Sequence, residues 1–205
     1  MKYADLHVHT FYSDSTFSPE EVVSYADYKG LSAIAICDHD CLDGIEPCRD
    51  FAESFGMEVI SGVELTVERK DAEVHILGYF VDHKLGWLND RLKEMRDFRV
   101  DRVYRMVEKL NTAGLKISAE DVFKVAGKGS VGRLHVAKAM LKAESVRTFK
   151  EAFEKYIGFL KPCYISNIKF SPGEAIGLVL DAGGVPVLAH PGVMGKDECI
   201  PELVG

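Results

Sequence analysis

The sequence predicts an α/β fold built on a parallel sheet, and three observations carry that prediction. Short apolar or β-branched runs alternate with helical segments at short intervals from Tyr3 to Tyr79. One of these runs, Leu31 to Cys37, is apolar almost throughout, as strands covered on both faces are. Potential ligands close several runs in succession: His7 and His9, then His39, Glu64 and His190. The carboxyl ends of strands are where sites collect in α/β barrels and open α/β sheets.

Taken in order, Tyr3 to Val8 reads as the first strand. Residues two apart on a strand share a face, so Asp5, His7 and His9 project the same way, with Asp14 in the polar turn that follows. Ser18-Pro19-Glu20-Glu21 is a helix start, with Ser as N-cap, Pro at the first helical position and Glu at the third. That helix runs to about Tyr28, where Lys29-Gly30 closes it. The strand Leu31 to Cys37 ends in Asp38-His39-Asp40. Asp43 to Phe55 reads as a helix stopped by Gly56. Met57 to Val63 is a third strand ending at Glu64, and Val74 to Tyr79 a fourth. His75 stands near the start of its strand and fits the strand-end rule less well, though Val74 and Ile76 face away from it.

From residue 88 to about 160 the pattern becomes all-helical. Leu88, Leu92, Met95, Val103, Met106 and Leu110 recur at three- and four-residue steps, which marks a long amphipathic helix ended by Gly114. Arg99 interrupts the stripe, and the expectation is that it snorkels to solvent rather than finding an anionic partner. Ser118 caps a short helix, and Val131 to Lys142 and Thr148 to Tyr156 form two more. Ser171-Pro172-Gly173-Glu174 opens a capped helix to about Asp181, which Gly183-Gly184 breaks. Val185 to Ala189 is then a strand leading to His190-Pro191.

Of the 205 residues, 47% are hydrophobic and 28% charged, as in an ordinary globular chain. No run of 18 apolar residues and no basic leader with an apolar stretch is present, so a cytoplasmic location is expected and no membrane partner. Five Cys without a C-x-x-C pair do not form a disulfide framework, and Cys37 belongs to the core. Net charge is −7, unevenly spread. Residues 1–90 hold 6 Lys and Arg against 18 Asp and Glu, whereas residues 91–162 hold 17 against 9. The acidic part suits cations, and the basic part suits an anionic substrate, phosphate first.

H-x-H alone is a weak motif. Its weight comes from the other positions: His7, His9, Asp14, His39, Glu64 and His190 recur from strand to strand, with His75 as a fifth histidine. Imidazole with carboxylate suits Zn²⁺, Mn²⁺ or Fe²⁺. There are too many groups for one ion, so two or three divalent ions are expected, with Glu64 able to bridge. Ions about 3.5–4 Å apart would clamp a phosphoryl displacement and make hydroxide available at neutral pH.

These segments resemble a known family. Asp5-Leu6-His7-Val8-His9-Thr10, Ser13-Asp14, Asp38-His39-Asp40, Gly62-Val63-Glu64, Val74-His75-Ile76-Leu77-Gly78 and Ala189-His190-Pro191 are similar to the PHP (polymerase and histidinol phosphatase) family. Within it the chain looks most like stand-alone phosphoesterases with a helical insertion, including 3′,5′-nucleotide bisphosphate phosphatases and a 5′–3′ exoribonuclease. The resemblance implies a distorted (β/α)7 barrel formed by residues 1–87 and 163–205, and a basic helical insertion, residues 88–162, as substrate cap. It implies a trinuclear metal site, with His7, His9 and Glu64 for a first ion, Asp14 and His39 for a second, and Glu64, His75 and His190 for a third. It also implies a phosphate-contacting pair, Arg133 and His135, with Lys161 as a weaker candidate; Leu134 departs from the Pro often found between the pair. The family carries a further Asp-x-His motif and two more strands after Ala-His-Pro, and the sequence ends at Gly205 without them, so a C-terminally incomplete barrel is expected. Gly127-Lys128-Gly129-Ser130 is discarded as a phosphate loop, because Gly129 breaks the G-K-[ST] order.

The resulting expectation is a metal-dependent phosphoesterase acting on a phosphorylated nucleotide or a short RNA end, with no duplex DNA as partner and the oligomeric state open. A histidinol-phosphate or other small phosphomonoester phosphatase is the alternative, with an amidohydrolase less favoured. A non-catalytic metal-binding or interaction domain is the reading from outside enzymes.

Overall fold

In the computed structural model, which describes residues 2–69, 72–166, 170–195 and 197–204, five strands form one sheet in chain order. They are β1 (Tyr3–Val8), β2 (Leu31–Ile36), β3 (Glu58–Glu68), β4 (Glu73–Tyr79) and β5 (Val185–Leu188). β1, β2 and the first part of β3 run parallel, as expected, with Ala33 opposite both Ala4 and Glu58.

The other half departs from the expected parallel sheet. β3 pairs antiparallel with β4, and β4 antiparallel with β5. The expected end of the third strand at Glu64 was too early: β3 continues through Leu65, Thr66, Val67 and Glu68. Only residues 69–72 then remain before β4, and the Arg69 N–H closes that link on the Ala72 carbonyl at 2.8 Å. A parallel return needs a crossover of a dozen or more residues, so a link this short can make only a hairpin. This reversal also accounts for His75. The start of an antiparallel strand lies at the same end of the sheet as the finish of its neighbours.

The sheet curls into a half-barrel. Tyr79 on β4 donates its hydroxyl to the Leu6 carbonyl on β1 at 2.8 Å, across two intervening strands. The rings of His7 and His190, from the two outermost strands or just beyond, come within 5.6 Å.

The helices follow their start signals. α1 (Pro19–Tyr28) begins with the expected capping box between Ser18 and Glu21. α2 (Ile45–Ala52) is shorter than expected and passes into a 3₁₀ turn before Gly56, whose φ of 62° suits glycine. α3 (Gly86–Thr112) is the long amphipathic helix. α4 (Ala119–Ala126) is capped by Ser118, and α5 (Arg133–Lys142) starts after Gly132. α6 (Phe149–Ala152) runs into a π-turn over Phe153–Ile157. α7 (Pro172–Asp181) carries the Ser171–Glu174 capping box, and α8 (Pro191–Met194) and α9 (Ile200–Val204) are short. Among the described residues no helix is long and apolar enough to cross a membrane.

Two apolar clusters organise the packing. One joins the sheet to α1, α2, α7 and the first part of α3, through Leu88, Leu92 and Met95. The second lies among Val103, Met106 and Leu110 of α3, α4, α5 and Ile157. α3 thus belongs to both, and the buried residues Arg99 and Arg102 sit where one gives way to the other.

Candidate metal centre

The centre is built around one side chain. Glu64 lies in β3, 1% exposed, beside the point where the strand changes from a parallel to an antiparallel partner. Five imidazoles converge on it. His7 of β1 and His9 just beyond reach Oε2 at 3.1 and 3.2 Å. His39 follows β2, pairs with Glu64 as an isolated parallel bridge, and reaches Oε2 at 3.3 Å through Nδ1. His75 of β4 and His190 after β5 reach Oε1 at 2.7 and 2.9 Å. Asp14 stands behind, with Oδ1 3.5 Å from His9 Nδ1 and Oδ2 3.8 Å from His39 Nε2. All seven candidate ligands therefore occupy one place, at the end of the half-barrel where strand-end residues gather.

The charge balance follows from that crowding. Burial opposes ionisation of Glu64, but His39, His190, His7 and His75 together outweigh it and hold its carboxyl well below the usual carboxylate range. Burial lowers the His75 pKa, and Glu64 and Glu73 more than reverse this, raising it to about 9. His39 goes the other way, to about 3, because desolvation dominates the pull of Glu64. A ring of imidazoles with opposed tendencies around one carboxylate is a poor way to satisfy protons and a good way to present lone pairs.

The spacing fits a cation. In a tetrahedral shell with bonds of about 2.0–2.1 Å, neighbouring ligand atoms stand about 3.3 Å apart. His7 Nε2, His9 Nε2 and Glu64 Oε2 form a triangle with edges of 3.1, 3.1 and 3.2 Å. Two further sets, His7, Glu64 and His190, and His9, His39 and Glu64, have ligand atoms within 4.8 Å of one another.

A second layer, unforeseen in the sequence, aims the ligands. Asp38 is buried and accepts from the Thr10 N–H at 2.8 Å, the Thr10 hydroxyl at 2.6 Å and the Ser13 hydroxyl at 2.6 Å. The Ser13 oxygen in turn lies 3.2 Å from His9 Nδ1. Thr66 Oγ1 lies 3.3 Å from His39 Nδ1 and accepts from Arg99 at 2.8 Å. Arg99 does not snorkel, contrary to expectation. It is 5% exposed, and its Nε donates to Asp40 at 2.5 Å, because α3 lies directly over the loop after β2. Asp40 and His190 have positive φ, 49° and 29°, which places uncommon backbone geometry beside the ligands.

A cavity of about 160 Å³ opens beside the cluster. Asp14, His39 and His75 form one wall, and Arg99, Arg102 and Arg133 bring three guanidinium groups to it. Glu73, two residues before His75 and on the same face of β4, holds two of them. It pairs with Arg133 and, at 3.3 Å, with Arg102, and accepts from the Tyr164 hydroxyl at 3.3 Å. Burial resists ionisation of Glu73, but Arg133, His75 and Arg102 hold its carboxyl far below the usual range. Arg133 also stacks near Phe153 and Tyr164.

The other two expected phosphate contacts are not among the residues lining this cavity, although His135 lies close to Asp14. His135 is 2% exposed and its Nδ1 accepts from the Gly132 N–H at 3.0 Å, so it caps α5 from inside; burial lowers its pKa to about 4. Lys161 is exposed and is not among the residues lining this cavity. The sequence did contain hints of the missed residues. Asp38 and Asp40 flank a ligand, Arg99 breaks an apolar stripe, and Glu73 shares a strand face with His75.

Five partly exposed histidines and Asp14, gathered with the buried Glu64 at the mouth of an α/β half-barrel and next to a cavity lined by three arginines, form a candidate divalent-cation site of the kind a metal-dependent phosphoric ester hydrolase uses. The chain belongs to the PHP domain family, whose profile it matches over residues 5–165. It is 32% identical over 187 residues to a 5′-3′ exoribonuclease of Haemophilus influenzae, covering 91% of this chain and 68% of that protein. It is 31% identical over 189 residues to a 3′,5′-nucleoside bisphosphate phosphatase of Chromobacterium violaceum, covering 92% and 66%. A solved structure of an amidohydrolase from Chromobacterium violaceum, with bound sulfate and no metal, superposes with a TM-score of 0.85 at 31% identity, over 92% of this chain and 67% of that one. The chain thus spans about two thirds of the length of the relatives it matches.

Proposed function

We propose that the chain carries the centre of a metal-dependent phosphoesterase acting on a phosphorylated nucleotide, a 3′,5′-bisphosphate, or on the 5′ end of a short RNA. The observation that carries this reading is the pairing of two features: seven potential ligands, Glu64 and the six residues gathered with it, and a cavity against them lined by three arginines. The names of the two curated relatives support the substrate class. His7, His9, Asp14, His39, Glu64, His75 and His190 would hold two or three ions of Mn, Zn or Fe type. When bound, such ions supply Lewis acidity and activate water.

The chain's own residues do the rest. Arg133 and Arg102 neutralise charge on the phosphoryl oxygens, and Arg99 adds to the positive wall. Glu73 and Tyr164 keep Arg102 and Arg133 in place when no anion is present. Asp38, through Ser13, fixes the ring of His9, and Thr66 orients His39. We read the five strands as part of the family's (β/α)7 barrel. Residues 88–162 are the proposed basic insertion over the site, a division that the second apolar cluster supports.

The test is a substrate panel with the natural full-length polypeptide and added Mn²⁺. 3′,5′-bisphosphorylated adenosine and a 5′-phosphorylated oligoribonucleotide are expected to turn over faster than histidinol phosphate. Equal rates would point to a general phosphomonoesterase. No turnover with metal bound in stoichiometric amount would refute the enzyme reading.

A further inference from the structure

Ser130 lies in the segment between α4 and α5, and none of the roles above uses it. It is 4% exposed, and among the described residues its Oγ is the buried side-chain polar atom without a hydrogen-bond partner. An unpaired buried hydroxyl is costly, so its persistence at a defined place calls for a partner that arrives from outside.

The placement is firm. The Ser130 N–H donates to the Tyr12 carbonyl at 2.8 Å, in the turn that supplies Asp14. Gly129 makes that approach possible: a Cβ there would stand 2.5 Å from the Phe11 oxygen and 2.9 Å from the Tyr12 carbonyl carbon. The segment is therefore clamped, backbone against backbone, to the loop that follows β1.

Ser130 is one of the residues that line the cavity beside the candidate metal ligands, together with Gly132, Arg133 and Leu134. α5 begins there, and the N–H groups of Arg133 and Leu134, in its first turn, have no acceptor among the described residues. A hydroxyl and two amides at the start of a ten-residue helix are donors suited to an oxyanion. Three arginines line the same space; Asp40 pairs with Arg99, whereas Arg102 and Arg133 share the single carboxylate of Glu73, which leaves guanidinium capacity for an anion on that side.

We propose that Ser130 is a substrate-binding residue, whose Oγ donates to a non-bridging oxygen of the phosphoryl group held between the histidine cluster and the first turn of α5. The identity of the substrate rests on the phosphoesterase reading, but the recognition of a tetrahedral oxyanion by Ser130 does not.

The experiment is Ser130→Ala, with inorganic phosphate as probe. Phosphate binding is measured by calorimetry with and without Mn²⁺, and the melting temperature is recorded beside it. Loss of one hydrogen bond to a charged group predicts phosphate affinity weaker by roughly tenfold to a hundredfold. The melting temperature should stay level or rise, since the substitution removes an unpaired buried hydroxyl. Unchanged phosphate affinity overturns the proposal. So does a marked drop in melting temperature, which would assign the hydroxyl a structural role. Should no phosphate ester be hydrolysed while phosphate still binds through Ser130, only the phosphoesterase reading fails.

Discussion

Arg99 ties three parts of this molecule together. Its guanidinium ties α3 to Asp40 in the loop after β2 and to Thr66 on β3, one hydroxyl away from His39. Removing one member of a buried ion pair strands the other, at about 3–5 kcal/mol. Arg99→Met should therefore lower the unfolding free energy in urea by roughly that amount. Adding Asp40→Asn should recover much of it, because Asn tolerates the positive φ at that position and carries no charge. At this scale the sequence disclosed the ligands and hid their supports. The H-x-H pair, Asp38-His39-Asp40 and Ala189-His190-Pro191 are local signals. The Arg99–Asp40 pair joins positions 59 apart and that of Arg133 with Glu73 positions 60 apart, and no short pattern records such a meeting.

Among the elements, the capped helices were legible because their start signals lie within four residues: Ser18 with Glu21, and Ser171 with Glu174. The direction of β4 was not. Strand periodicity is the same in either direction, and only the length of the link discloses a hairpin. β3 is where the two halves of the sheet join, and Gly62 marks the seam. A Cβ at Gly62 would lie 2.7 Å from the Cys37 sulfur and 2.8 Å from the Ile36 carbonyl oxygen. A carbonyl in a parallel ladder cannot move aside, so Gly62→Ala should cost about 1–3 kcal/mol by overpacking. Denaturant titration would register it as a lower midpoint at unchanged slope. Because Glu64 is two residues on, the same substitution should also weaken metal uptake.

For the molecule as a whole, the candidate metal centre should also act as a stability element. Burying a carboxylate under five imidazoles leaves charges that divalent ions would balance. An ion that binds only the folded chain at a hundredfold excess over its Kd adds about 2.7 kcal/mol. For a chain of this size that is an upward shift of roughly 5–10 °C in Tm. Mn²⁺ should produce such a shift by scanning calorimetry, a chelator should reverse it, and Glu64→Gln should abolish it. A protein whose Tm ignores the ion would not be using this cluster to hold one. The uneven charge of the sequence also finds its place at this scale, since the acidic portion supplies six of the seven candidate ligands and the basic portion supplies Arg99, Arg102 and Arg133.

The curl of the sheet has a consequence for biosynthesis. His7 leaves the ribosome 183 residues ahead of His190, yet their rings end 5.6 Å apart. A nascent chain that has made only β1 to β4 can display four of the five imidazoles, but the fifth is still missing. Full loading therefore has to wait until translation has passed β5, and a stalled or prematurely released product would leave the cell's divalent ions only partly gripped.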